Sequence, residues 1–338
     1  MIVAQSPHRF SVAPMMDWTN RHTRFFHRLM TRHALLYTEM VTTGALIHGP
    51  REQLLAHNAA EYPVALQLGG SDPAALAECA RMGADAGYQE INLNVGCPSD
   101  RVQNGSFGAC LMKDPELVAR CIAAMAEAVN IPVTVKCRIG VDDQTPADVL
   151  PDFVDRVAAA GCRTFIIHAR MAWLQGLSPK QNRDIPPLDY PLVHRVAAER
   201  PALTFILNGG LTDIHAAWAE MGDLDGVMFG RAAYHTPGIL RDVDQVFFDD
   251  PTPPPSVDDI IDAMVAYTDQ HISSGGRFIE ISRHMLGLAH QRRGAKAWRR
   301  ILSEQGRAVD ADSSLLRLAA AQVDWPDTAA SLVESRVA

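Results

Sequence analysis

The chain has 338 residues, 47% of them hydrophobic and 21% charged, with a formal net charge of −8. That length suits one barrel-sized domain of about 250 residues plus a smaller one, and the apolar content excludes a disordered chain. Six cysteines without a C-x-x-C pair exclude a disulfide scaffold and point to a reducing, cytoplasmic setting, no apolar run is long enough for a membrane span, and the acidic balance taken alone argues against a nucleic-acid partner.

The opening stretch, MIVAQSPHRFSVAPMMDW, has no basic region followed by a long apolar run, so no secretory signal is expected. From there, short β-branched or apolar runs predict strands at 11–15, 34–41, 64–69, 90–96, 133–139, 164–169, 203–209 and 226–230. Helical patterns lie between them at 20–30, 73–86, 114–129, 147–160, 188–199 and 212–221. Ser71-Asp72-Pro73, Asp114-Pro115-Glu116 and Thr212-Asp213 are start signals, and Gly83, Gly87 and Gly161 fall near helix ends, where glycine suits a left-handed cap. Eight strand–helix alternations predict an α/β protein with a parallel sheet closed into a (β/α)8 TIM barrel. An open doubly wound sheet would need a G-x-G-x-x-G turn after an early strand. The first strand ends instead in Ala13-Pro14-Met15-Met16-Asp17.

The segment DDPTPPPSVDD at 249–259 carries four prolines and reads as a stiff linker. Beyond it the patterns are helical, at 257–273, 277–304, 310–323 and 327–337. The expected division is a catalytic barrel over 1–248, a Pro-rich linker over 249–256 and a smaller all-helical domain over 257–338.

A barrel of this kind builds its active site at the C-terminal ends of its strands. Those ends carry Pro14, Met15 and Met16 on strand 1, Gln67 on strand 3, Asn92, Asn94 and Cys97 on strand 4, and Lys136 and Arg138 on strand 5. They continue with His168 and Arg170 on strand 6, Asn208, Gly209 and Gly210 on strand 7, and Gly230 and Arg231 on strand 8. The loops after strands 7 and 8 often bind phosphate in this fold, because exposed N–H groups converge there. The glycines and Arg231 fit that use, and plain tight turns are the alternative. Lys136 and His168 read as donors to a polar, electron-rich cofactor. A buried ion pair, a core histidine and a Schiff-base lysine remain open at this point.

Cys97 follows a strand end and precedes a proline that fixes its turn. An ordinary thiol is mostly protonated at neutral pH, so Cys97 reads as a proton donor rather than a nucleophile. Cys110 lies among Gly108, Ala109 and Leu111 and reads as small-residue packing, and Cys79, Cys121 and Cys162 read as structural. Cys137 points outward if Lys136 and Arg138 point in. No H-E-x-x-H motif, Cys/His cluster or EF-hand loop is present, so no metal is expected.

Taken together, APMMDWTNRHTRFF, YTEMVTTGALIHG, VALQLGGSDP, EINLNVGCPSDRVQNGSFGACLM, VKCRIGVDD, HARMAWLQGLSPKQNRDIPPLDY, LNGG and GVMFGRAAYHTP resemble the bacterial tRNA-dihydrouridine synthases, most of all the subgroup acting on D-loop uridines 20 and 20a. The likeness continues into SRHMLGLAHQRRGAKAWRRILSE. It implies an FMN enzyme, re-reduced by NADPH, that delivers hydride to C6 of a uracil while Cys97 protonates C5. It implies FMN contacts at Pro14, Met15, Met16, Gln67, Lys136, His168, Asn208, Gly209, Gly210, Gly230 and Arg231. Asn94 matches a position near the target base, and Lys180 and Arg183 match a loop that touches tRNA. A tRNA D-loop partner, no membrane, a monomer and a cytoplasmic location are the corresponding expectations. The target base must be unstacked and extruded, at a cost of a few kcal/mol.

The window 277–300 holds seven Lys/Arg against one Glu, a local charge of +6 inside an acidic chain. Its last two residues, Arg299 and Arg300, join Lys180 and Arg183 as candidate tRNA contacts. A solvated helix face is the plainer reading. Trp298 reads as a core anchor or as a base-stacking platform.

Overall fold

Each of the eight apolar runs becomes a parallel strand: β1 (Phe10–Val12), β2 (Leu35–Thr42), β3 (Val64–Gly69), β4 (Glu90–Val95), β5 (Val133–Arg138), β6 (Thr164–His168), β7 (Thr204–Asn208) and β8 (Gly226–Phe229). They pair in chain order, and β8 returns to β1, which closes the expected barrel. The computed structural model describes residues 6–99, 105 and 107–325, so the helix expected at 327–337 lies outside the described residues.

The helices Pro73–Asp85, Pro115–Ala128, Tyr190–Ala198 and Ile214–Met221 begin on one device. Asp72, Asp114, Asp189 and Asp213 accept hydrogen bonds from the N–H groups of Ala75, Leu117, Leu192 and Ala216 at 2.7, 3.0, 3.0 and 2.8 Å. Each such cap contributes about 1 kcal/mol. Gly87 and Gly161 adopt φ of +96° and +106°, as left-handed caps should. Gly83 does not belong with them. It lies inside the helix Pro73–Asp85, where a Cβ would come within 2.6 Å of Leu66 and 2.8 Å of Ile91. It is there for close packing of helix on strand.

Strand alternation sends Leu35, Tyr37, Ala65, Ile166, Ile206 and Met228 into one inner cluster with Ala13, and Met15 packs against it. Polar side chains fill the interior beside β3, β4 and β5: Gln67, Glu90, Asn92, Asn94 and Thr134 are all buried.

Among the described residues the chain divides into two compact units. One holds the residues up to Arg21 together with His33–Gly230, and the other holds His22–Arg32 together with the residues from Arg231 onward. Residues 249–256, read as a linker, carry neither helix nor strand and fall within the second unit. Ser256 then opens the helix Val257–Ser273 with a capping box to Asp259. The single helix expected at 277–304 is instead two, Phe278–Ser282 and Ala295–Ser303, joined by turns. The apolar spacing is real, but close backbone approaches interrupt it. A Cβ on Gly287 would collide with the His235 carbonyl oxygen, and one on Gly294, at φ +91°, would collide with the Gln322 carbonyl oxygen. The pattern at 310–323 reduces to Ser314–Ala320. No helix among the described residues is long and apolar enough to cross a membrane.

Candidate active site

The register of the barrel sets the candidate residues side by side. Gln67 pairs with Asn92, Asn94 with Lys136, Arg138 with His168, and His168 with Asn208. A one-residue slip on any strand would turn its polar group out of the barrel. Lys136 and Arg138 are polar and turned to this mouth, and Cys137 between them is fully buried with its thiol pushed up to about 12 by burial. The outward direction expected for Cys137 agrees with that alternation.

The Cys97 turn is pinned from several sides. Asn94 Oδ1 accepts from the N–H groups of Gly96 and Cys97 at 3.1 and 3.0 Å. Arg138 Nε donates to the Gly96 carbonyl at 3.0 Å, and Ala109 N–H donates to the Cys97 carbonyl at 2.9 Å. The Cys97 thiol stays partly accessible, with Ser99 Oγ at 3.5 Å. Cys110 differs. Its thiol donates to the Phe107 carbonyl at 3.1 Å, and burial raises its pKa. That proton is already committed to backbone.

Around this turn the mouth is cationic. Lys136 Nζ donates to Asn208 Oδ1 at 3.0 Å, and Asn208 Nδ2 donates to the Met228 carbonyl at 2.8 Å. Burial, then Arg138, pull the Lys136 pKa down to about 8. Burial and the neighbouring Arg138, Lys136, Arg170 and Arg183 push His168 well below its ordinary value, so the ring is neutral at neutral pH. Among the described residues no carboxylate is among the groups acting on either residue. Such a cluster is relieved by an anionic or electron-rich partner.

The backbone leaves room for one. Gly209 and Gly210 adopt φ of +111° and +72°, and a Cβ on Gly209 would lie 2.6 Å from the His168 ring. A Cβ on Gly230 would meet nothing within 4 Å, so the end of β8 opens on free space. Gln67 uses one Nε2 proton on Asn92 and its Oε1 on Asn94, each at 2.8 Å, which leaves a second Nε2 proton for a ligand. At the end of β1, Met15 and Thr19 exchange two hydrogen bonds, of 2.9 and 3.1 Å, and Met16 stands 55% exposed. Pro14 leads into that turn. The donors, the neutral imidazole and the glycine-lined ends fit a flavin mononucleotide.

Lys180 and Arg183 are exposed on the loop after β6. Asn182, fully buried between them, holds that loop by donating to the carbonyls of Trp173 and Leu177 at 2.9 and 3.1 Å. Arg138 Nη1 donates to the carbonyls of Met171 and Asn182, both at 2.9 Å. One guanidinium thus ties the Cys97 turn to this basic loop. From the sequence, Arg138 stands at a strand end without an assigned role. Arg231 opens the helix Arg231–His235 and is the first residue of the second unit's longer segment.

In that second unit, all seven cations of the 277–300 window are exposed. Arg292, Lys296, Arg299 and Arg300 form no ion pair with a carboxylate among the described residues. Trp298 is fully buried, donates to the Met285 carbonyl at 3.1 Å and meets Trp325 edge-on. It is a core anchor and not a stacking platform.

The family model "Dihydrouridine synthase (Dus)" matches residues 11–323 of the chain. A tRNA-dihydrouridine(20/20a) synthase of Shewanella oneidensis is 55% identical over 310 residues, covering 92% of each chain. One of Vibrio vulnificus is 53% identical over 316 residues, covering 93% of this chain and 97% of the relative. Among solved structures, a 2-naphthoyl-CoA reductase in complex with 2-naphthoyl-CoA superposes with a TM-score of 0.54 at 11% identity, over 70% of this chain and 50% of its own. That likeness shows the fold alone.

Proposed function

Because the chain belongs to the dihydrouridine synthase family, we propose that it reduces uridine to 5,6-dihydrouridine in the tRNA D-loop, at positions 20 and 20a. Reduction of the 5,6 double bond needs a hydride on one carbon and a proton on its neighbour. Pro14, Met15, Met16, Gln67, Lys136, His168, Asn208, Gly209, Gly210, Gly230 and Arg231 would hold FMN, which, replenished by NADPH, would supply the hydride for C6. The chain's own part is the proton. Cys97 gives it to C5, and the C6 hydride and C5 proton complete the two-electron reduction.

The observation that carries this reading is the pinned turn that presents a partly accessible thiol beside a cationic mouth. Lys136 there stabilises negative charge, and the neutral His168 remains a hydrogen-bond donor. A desolvated lysine also suits Schiff-base chemistry, but reduction of a uracil double bond has no step that calls for one. Asn94 keeps one Nδ2 proton for the target base, since its other groups hold the turn.

We assign tRNA backbone contacts to Lys180 and Arg183 on the barrel and to Arg299 and Arg300 on the helical domain at 257–338. The barrel over 1–248 is the catalytic part and 249–256 the linker. The protein works in the cytoplasm as a monomer. The net charge of −8 is no obstacle, because seven of the 31 Lys and Arg residues are gathered in the 277–300 window, where the local charge is +6.

The test is Cys97→Ala and Cys110→Ala, each read by mass mapping of dihydrouridine in tRNA. Cys97→Ala should lower tRNA reduction at least about 10²-fold, as loss of a general acid does. It should leave the flavin absorbance and NADPH oxidation intact. Cys110→Ala should be near wild type. If Cys110→Ala gives the deficient phenotype and Cys97→Ala does not, the assignment is wrong.

A further inference from the structure

A line of buried polar side chains runs through the barrel interior from the Cys97 turn to Glu90. Asn94 Nδ2 donates to Gln67 Oε1, and Gln67 Nε2 donates to Asn92 Oδ1, both at 2.8 Å. Asn92 Nδ2 donates to Thr134 Oγ1 at 2.8 Å, and the Thr134 hydroxyl donates to Glu90 Oε1 at 2.7 Å. The Tyr37 hydroxyl also donates to Glu90 Oε1 at 2.7 Å, and His8 Nε2 lies 2.8 Å from Glu90 Oε2. Glu90 is 3% exposed, Asn92 0%, Thr134 1% and Gln67 1%.

Every link points the same way. Backbone N–H groups at the upper end can only donate, and at the lower end Glu90 Oε1 accepts from both the Thr134 and Tyr37 hydroxyls. Between them stand three amides, each of which could turn over and exchange its oxygen for its nitrogen. The hydroxyl removes that freedom. Thr134 spends its one proton on Glu90, so it must accept from Asn92. Asn92 therefore shows oxygen to Gln67, Gln67 shows oxygen to Asn94, and Asn94 shows oxygen to the N–H groups of Gly96 and Cys97. Turned over, Asn94 would set an NH2 against two N–H groups, and the turn would lose its anchor.

We propose that Glu90 and Thr134 are positioning residues for the protonation step. They fix the polarity of the amide line and thereby hold the Cys97 turn in its productive shape. This rests on the reading of Cys97 as the proton donor.

Thr134→Val is the test, because valine keeps the shape and removes the hydroxyl. Thr134→Ser restores the hydroxyl and is the rescue. With intact holoenzyme and tRNA, Thr134→Val should lower kcat about tenfold, as loss of alignment at a catalytic group does. The KM for tRNA and the rate of flavin reduction by NADPH should stay within about twofold of wild type. Independently of turnover, iodoacetamide labelling of Cys97, followed by peptide mass mapping, should accelerate severalfold in Thr134→Val and return to the wild-type rate in Thr134→Ser. Unchanged kcat and unchanged labelling in Thr134→Val, alongside an inactive Cys97→Ala, would overturn the positioning role alone. A fall in flavin reduction as large as the fall in kcat would also overturn it, as general damage to the barrel. An active Cys97→Ala would overturn the underlying reading instead.

Discussion

The two sides of the barrel interior are built from opposite chemistry. From β6, β7, β8, β1 and β2 come Ile166, Ile206, Met228, Ala13 and Leu35, which exclude water and carry no direction. From β4, β5 and the upper half of β3 come Glu90, Asn92, Asn94, Thr134 and Gln67, which are joined donor to acceptor. Apolar burial stabilises in proportion to area and tolerates reshuffling. A buried hydrogen-bonded line adds little net stability, about 1 kcal/mol per bond, but is costly when one member is missing. The apolar side therefore holds the barrel closed, and the polar side anchors the Cys97 turn at its mouth.

The largest expected effects separate these two contributions. Ile206→Ala empties part of the apolar cluster and should lower stability by about 2–5 kcal/mol. Below its melting transition its kcat should match wild type. Asn92→Leu deletes two links and leaves the Gln67 and Thr134 groups unpaired, at about 1–3 kcal/mol each. It should combine its stability loss with a fall in kcat that Ile206→Ala does not show. Denaturant melts and steady-state kinetics on both variants check this. Equal kinetic damage in both would mean that the two sides do not divide the work.

A smaller effect follows from where the polar line ends. Burial opposes the charged form of His8, but the charge of Glu90 and the hydrogen bond to it outweigh burial, and its pKa is raised. The folded state thus holds this proton more tightly than the unfolded chain. Its contribution is fully present below about pH 6.5 and is lost as pH rises through the raised value. In the second unit the sign reverses. Burial, then Arg28, lower His27 to about 3, and burial, then Arg283, lower His284 to about 3. Each of these takes up a proton only on unfolding, so stability falls by about 1.4 kcal/mol per pH unit for each below pH 6.5. Thermal melts across the pH range should show His8→Ala most destabilising below about pH 6.5 and progressively less so as pH rises through the raised value. A destabilisation independent of pH would show that the His8–Glu90 pair is not ionic.

What could be read from the chain alone follows the same divide. The strands were legible because buried parallel strands are continuous apolar runs. The helix starts at 73, 115 and 214 were legible because a capping Asp, twice followed by Pro, is a local signal. Cys97, Lys136, His168 and the glycines stand out as candidates in the sequence because they lie at strand ends. Glu90 opens β4, at the opposite end of the strand from the chemistry, and no local signal marks it. Its importance comes from convergence with His8, Tyr37 and Thr134, which lie on three other elements. Arg138 likewise acts through carbonyls of Gly96, Met171 and Asn182, which only the fold assembles. The unbroken helix expected at 277–304 failed for a related reason. Periodicity reports which residues face a core, whereas the breaks at Gly287 and Gly294 come from distant backbone passing too close for a side chain.

The smallest effect on stability should come from the second unit's exposed face, and there it sharpens the contrast with the interior. Arg299 and Arg300 are exposed on the helix Ala295–Ser303, while Trp298, Ile301 and Leu302 of the same helix are buried. Replacing both arginines with alanine removes no packing and no carboxylate partner among the described residues, so the melting transition should stay within about 0.5 kcal/mol of wild type. Affinity for tRNA should nevertheless fall, and the dependence of log affinity on log salt should flatten by nearly one unit for each phosphate no longer neutralised. The kcat at saturating tRNA should not change, since both residues are assigned to binding and not to the proton transfer. A salt slope identical to wild type would return this patch to a merely solvated face and leave Lys180 and Arg183 as the cations to test next.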